Sequence, residues 1–170
     1  IPTVNLGALS VDTGFSICTW FAFDATATWT RVFEFGNGPE MDNLIFTRKD
    51  PSNVLGLDLY CGNSPSGLWQ SITTMSIDSG QWYHVCAVNQ GTSWTIYGNG
   101  TLIDSYQSEC VVSNVNLTSN FIGRGNWAEN DYLLVGKVDE FRIYKGALSA
   151  AEAAAVFNAR GPPPSTTATA

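Results

Sequence analysis

The chain is poor in positive charge. Eight Lys and Arg stand against fifteen Asp and Glu in 170 residues, a formal net charge of −7 at pH 7. Such a surface repels a phosphate backbone and excludes nucleic-acid binding through a basic stripe. Histidine is scarcer still, with His84 the one imidazole. With no Gly-x-Ser-x-Gly elbow to serve, it reads as a hydrogen-bonded structural residue of a core strand and not as the base of a triad. No run of about 18 apolar residues occurs, so no segment has the length of a membrane-spanning helix. There is no Cys-x-x-Cys pair among Cys18, Cys61, Cys86 and Cys110. That spacing argues against zinc and for two disulfides, hence an oxidising compartment; four cysteines allow three pairings. The chain opens on Ile1 instead of Met, which reads as a mature chain or a fragment of a longer one.

What is present is β-forming. Hydrophobic residues make up 44% and aromatics 12%, enough for one well-buried core and one domain over residues 1–161. Phe15 to Phe23 is dense in β-branched and aromatic residues and reads as a central strand, and Arg31 to Phe35 alternates before the turn Gly36-Asn37-Gly38-Pro39. Further strands are expected at Leu44–Phe46, Leu55–Tyr60, Leu68–Ile77, Trp82–Val88, Ser93–Tyr97, Leu102–Asp104, Phe121–Gly123 and Leu133–Tyr144. Residues 1–13 read as an edge strand and loop. Roughly eleven to thirteen short strands at this spacing make a β-sandwich. The one helix expected is Ser149 to Arg160, opened by a capping box with Ser149 as N-cap and Glu152 three residues on, with Leu148, Val156 and Phe157 as its apolar stripe. Residues 162–170, Pro-Pro-Pro followed by small and polar residues, read as an extended linker or stalk.

Two sequons, Asn99-Gly100-Thr101 and Asn116-Leu117-Thr118, mark Asn99 and Asn116 as glycosylation sites and agree with secretion. Among six tryptophans, Trp20, Trp82 and Trp94 fall in strands and are assigned to the core. Trp29, Trp69 and Trp127 fall at loops or strand ends, where an indole can stack on a sugar face. Trp127 is the preferred ligand-binding residue, because Asn126, Asn130 and Asp131 beside it can hydrogen-bond hydroxyls.

Four stretches in order, Phe15-Ser16-Ile17-Cys18-Thr19-Trp20, Trp82-Tyr83-His84-Val85-Cys86-Ala87-Val88, Ile122-Gly123-Arg124-Gly125-Asn126-Trp127 and Gly136 to Tyr144 with Ala147 to Glu152, resemble laminin-G-like and pentraxin-like domains of the concanavalin A-like lectin/glucanase superfamily. The resemblance implies an all-β antiparallel jelly-roll sandwich with one short C-terminal helix. It also implies a Cys18–Cys86 bridge, which leaves Cys61 with Cys110. From the pentraxin pattern it implies calcium at Asp42 and Asn43, just before Leu44-Ile45-Phe46, with Asn126 as a further ligand from the second loop. That loop is shorter than the family's and out of register with it. Asp42-Asn43 reads equally well as an Asx turn.

The expected function is a secreted glycoprotein module that recognises glycans or extracellular proteins without catalysis. The alternative is a structural protomer of a matrix or surface fibre, self-assembling and carrying a glycosylated Pro-rich stalk. A third reading, a carbohydrate-active enzyme, lacks the Glu-x-Asp-x-x-Glu motif of the superfamily's β-glucanases: Glu34 and Glu40 are separated by a turn, and Asp139 and Glu140 are adjacent.

Overall fold

The computed structural model describes residues 1–25, 29–49, 53–62, 68–109, 111–127 and 133–163. Ten strands run in chain order as β1 (Phe15–Phe23), β2 (Arg31–Phe35), β3 (Leu44–Lys49), β4 (Val54–Cys61), β5 (Leu68–Ser76), β6 (Tyr83–Gln90), β7 (Ser93–Gly98), β8 (Thr101–Gln107), β9 (Phe121–Ile122) and β10 (Gly136–Lys145). They form two antiparallel five-stranded sheets, ordered β10-β1-β6-β7-β8 and β5-β4-β3-β2-β9. The chain crosses from the first sheet to the second after β1, returns after β5, crosses again for β9 and returns for β10, which is the connectivity of a jelly roll.

The period-2 alternation of the strands decides what each face carries. Phe15, Ile17, Phe21, Val85, Ala87, Trp94 and Ile96 of the first sheet meet Phe33, Phe35, Leu44, Phe46, Leu55, Leu57, Leu59 and Ile72 of the second in one buried core. Phe33 is its centre, stacked on Phe46 at 5.4 Å and set edge-on to Phe141 at 5.4 Å. Phe141 thereby ties the edge strand β10 to β2 across the sandwich.

On the outer face of the first sheet a second cluster forms around Cys18, Cys86, Val88, Tyr97 and Ala153. Cys18 and Cys86 are register partners on neighbouring strands and are disulfide-bonded. Closing a loop of 68 residues restricts the unfolded chain by about 4 kcal/mol on the loop-entropy model. Cys61 is also disulfide-bonded; Cys110, its expected partner, lies outside the described residues, as do Asn130, Asp131 and residues 164–170 of the expected stalk.

The second cluster is covered by α2 (Ala150–Asn158), whose N-cap is Ser149: Glu152 N–H donates to the Ser149 hydroxyl, and the Glu152 carboxylate accepts from Ser149 N–H at 2.8 Å. Ala153 is fully buried and Val156 packs beside it, while the half-buried Phe157 stacks on Trp20 at 5.3 Å. Nine residues make too short a helix to persist alone in water, so this packing is what holds it.

Three sequence expectations change. Residues 1–13 carry a one-and-a-half-turn helix, α1 (Leu6–Ser10), capped by the Asn5 side chain accepting from Ala8 N–H. Its one strand-like contact is the isolated Val4–Leu117 bridge. Five residues are too few for a 3.6-residue period to register. The strands among the described residues number ten, because the edge strand expected in residues 1–13 is replaced by this helix; Leu133 to Val135, expected within the last strand, precede β10 as loop. Trp82 also stands before β6 and is half-buried, whereas Trp20 and Trp94 are core residues.

Candidate functional site

The residues that the core does not use on β2 to β5 point away from it, and they are not the solvated residues that alternation alone suggests. Arg31 and Glu34 of β2, Thr47 and Lys49 of β3 and Asp58 of β4 all lie on this outer face and are at least nine-tenths buried. Burying charges is costly unless they are paired. They are paired here: Arg31 Nε donates to Glu34 Oε2 at 3.2 Å, and Arg31 Nη1 donates to the Trp29 carbonyl at 2.7 Å and to the Thr47 hydroxyl at 3.0 Å. Lys49 Nζ bonds Asp58 and the Ser71 hydroxyl. The lysine reaches them by laying its stem across Gly56, where a Cβ would sit 2.1 Å from Lys49 Cε. A side chain at position 56 would displace the ion pair.

Aromatic rings stand over this ionic floor. Tyr60 of β4 contacts Trp69 of β5 at 6.4 Å and Trp127 at 5.5 Å between ring centroids. The Arg31 guanidinium lies 5.5 Å from the centre of the Trp127 ring, and Lys49 Nζ lies 5.9 Å from that of Trp69, cation–π contacts that add to the ion pairs. Trp29 is held in the left-handed region at φ 59°, a conformation unusual for a bulky residue, and is 41% exposed; Trp69 is 52% exposed. Together Trp29, Arg31, Ile45, Asp58, Tyr60, Trp69 and Trp127 line a cleft of about 200 Å³. At roughly 30 Å³ per water molecule that is room for about seven waters. The Tyr60 hydroxyl is held above the ordinary phenol range, first by burial and then by the carboxylates of Asp58 and Glu40, with Arg31 opposing.

A family model described as the concanavalin A-like lectin/glucanases superfamily matches residues 2–154. The chain belongs to this superfamily. No curated protein matches the sequence. Among solved structures, this superfamily member is similar to domain 4 of a GH43 extracellular arabinanase from Geobacillus stearothermophilus, solved in complex with arabinotriose (23% identity, TM-score 0.70, covering 92% of this chain and 70% of that one). It is also similar to a sialidase CBM40 domain from Ruminococcus gnavus bound to α2,3-sialyllactose (14% identity, TM-score 0.67, 91% of each chain). A third is a heptameric SAP-like pentraxin from Limulus polyphemus (18% identity, TM-score 0.63, covering 95% and 73%). At these identities the likeness establishes the shared fold.

Within this concanavalin A-like sandwich the residues expected from sequence separate into groups. Trp127 lines the cleft. Asn126 does not face a ligand: its backbone N–H and Nδ2 donate to Glu34 Oε1 at 3.2 and 2.7 Å, and Nδ2 donates to the Ser119 carbonyl at 3.1 Å, pinning the Trp127 loop to the floor. Asn43 meets the same carboxylate from β3, its Nδ2 donating to Glu34 Oε1 at 3.1 Å and its Oδ1 accepting from Met41 N–H at 2.7 Å. Asp42, at φ 54°, accepts from Gly62 N–H at 3.0 Å. As placed, the two amides turn N–H groups toward Glu34 and Asp42 serves a backbone amide, so Asp42, Asn43 and Asn126 do not fit a calcium ion in this arrangement. Among the described residues no group of three or more His, Cys, Asp or Glu side chains is placed to hold a metal. Asn99 and Asn116 are both exposed, Asn99 in the tight β7–β8 turn at φ 48° with its Oδ1 accepting from His84 N–H.

The cleft also draws on Arg31, Asp58 and Tyr60, which sequence reading did not single out. The alternation Leu57-Asp58-Leu59-Tyr60 does send Asp58 and Tyr60 to the face opposite the core leucines, without marking that face as covered. Asp139 and Glu140 serve the first sheet's edge instead: Glu140 bonds Arg142 and receives Arg160 Nη1 at 2.7 Å.

His84 is buried on the far sheet between Trp20 at 5.3 Å and Phe157 at 5.7 Å. Among the described residues its Nδ1 has no hydrogen-bond partner. Burial, assisted by the Arg142 charge, lowers its pKa to about 4.

Proposed function

We propose that the chain is a secreted, non-catalytic glycan-binding module that takes its ligand in the cleft over β2 to β5. The observation that carries this reading is a row of partly exposed rings, Trp29, Trp69, Trp127 and Tyr60, set above a floor of buried, paired charges. Flat apolar rings flanked by fixed polar groups match a sugar, which has an apolar ring face and a hydroxylated edge. That the superfamily neighbours include domains solved with arabinotriose and with sialyllactose supports the same reading by analogy of fold.

Binding without turnover is supported by the engagement of both floor carboxylates, Glu34 by Arg31, Asn43 and Asn126, and Asp58 by Lys49. Neither is arranged as an acid opposite a nucleophile. Secretion is supported by the Cys18–Cys86 bond. Among the described residues no helix is long and apolar enough to cross a membrane.

The test is a glycan array probed with the wild-type chain and with Trp127→Ala, followed by product analysis of any glycan retained. Retention lost by the variant, with the glycan recovered intact, supports the proposal. Retention by wild type and variant alike, or cleavage of the glycan, contradicts it.

A further inference from the structure

We infer that the cleft selects neutral glycans and rejects sialic and uronic acids, because the cations on its floor already hold carboxylates while the carboxylate of Asp58 lines it. This inference rests on the reading of the cleft as a glycan site and narrows its ligand class. Recognition of an acidic sugar calls for a cation with donors to spare, best a guanidinium presented as a fork. Arg31 gives Nε to Glu34, and its Nη1 to Trp29 and Thr47, while its face is covered by Trp127. Lys49 is committed to Asp58 and Ser71 and lies beside Trp69.

The anionic side is different in kind. Asp58 lines the cleft, and a carboxylate has several acceptor sites, of which the lysine does not use all. It can accept from a sugar hydroxyl and repels a sugar carboxylate. Glu40 is half-buried near Tyr60, whose phenol is held above its ordinary range first by burial and then by the charges of Asp58, Glu40 and Glu34, with Arg31 opposing. The −7 net charge of the chain extends the same field outward. Stacking on Trp69, Tyr60 and Trp127 is indifferent to ligand charge, so these rings supply affinity while the floor supplies the discrimination.

The experiment titrates the full chain at low ionic strength with neutral oligosaccharides, arabinotriose and lactose among them, and with charged counterparts, 3′-sialyllactose and an oligouronate. The expected result is binding of at least one neutral member, with acidic counterparts weaker by about tenfold or more and the gap narrowing as salt is added. Asp58→Asn should narrow the gap at fixed salt. Should that variant fold poorly, the salt series on the wild-type chain decides. Acidic glycans binding as tightly as neutral ones, or more tightly, would overturn the inference and leave the glycan site standing. Binding of neither class, or binding unaffected by Trp127→Ala, would overturn both.

Discussion

Acid should destabilise this protein through His84. Its folded-state pKa lies near 4 against an ordinary value of 6.5. A base whose pKa is lowered on folding is held in its neutral form, so its contribution is complete above pH 6.5, where folded and unfolded chains are both deprotonated. As pH falls below 6.5 the unfolded chain takes up a proton that the folded chain refuses. Stability therefore drops between pH 6.5 and 4 and levels off below. The 2.5-unit difference corresponds to about 3 kcal/mol at 1.36 kcal/mol per unit. The part due to Arg142, an exposed guanidinium, is screened by solvent, which brings the expected loss to about 2–3 kcal/mol. Glu140 and Arg142 on β10 and Arg160 after α2 share the pocket wall with His84 and are the same in wild type and variant. His84→Phe keeps an aromatic ring between Trp20 and Phe157 and removes the titration. Urea unfolding of both proteins at half-unit steps from pH 7.5 to 4 gives the difference directly, with common carboxylate effects subtracted. The wild type should lose about 2–3 kcal/mol more than the variant across this range. Parallel profiles would refute the burial of a neutral imidazole at this position.

Lys49→Met should cost about 3–5 kcal/mol by leaving Asp58 buried without its cation, and the double variant Lys49→Met/Asp58→Leu should recover most of that; denaturant midpoints check both. Phe157→Ala, removing a half-buried ring stacked on Trp20 and tilted against His84, should cost about 2–3 kcal/mol by thermal unfolding. Millimolar calcium should leave the melting temperature unchanged, since Asn43 and Asn126 donate to Glu34 as they stand; a rise of several degrees would mean that both amides turn their oxygens inward to make a site.

The sandwich was legible because β-propensity is strong along β1 and β6 and alternation is clear along β2 and β4, and because Ser149 and Glu152 announce the helix that follows. The site was legible only in part. Trp127 stood out as an indole in a polar loop. Arg31 and Asp58 did not, because a charged residue on a strand face is ordinarily a solvated one, and nothing local announces that Trp29, Trp69 and Trp127 cover these two. Asn126 and Asn43 were expected as calcium ligands from the pentraxin resemblance, yet an amide that can ligate can equally donate, and here both donate to Glu34, fully buried on β2. α1 was missed because its stop and start fall within five residues.

The central claim, a sugar seated on the aromatic row over β2 to β5, is tested most directly by the six tryptophan indole N–H resonances of the ¹⁵N-labelled chain during titration with a glycan that an array retains. The account predicts that the indoles of Trp29, Trp69 and Trp127 shift and saturate together, while those of Trp20 and Trp94, buried at 3% and 1% exposure, stay in place. Saturable binding that moves none of the three cleft indoles would contradict it.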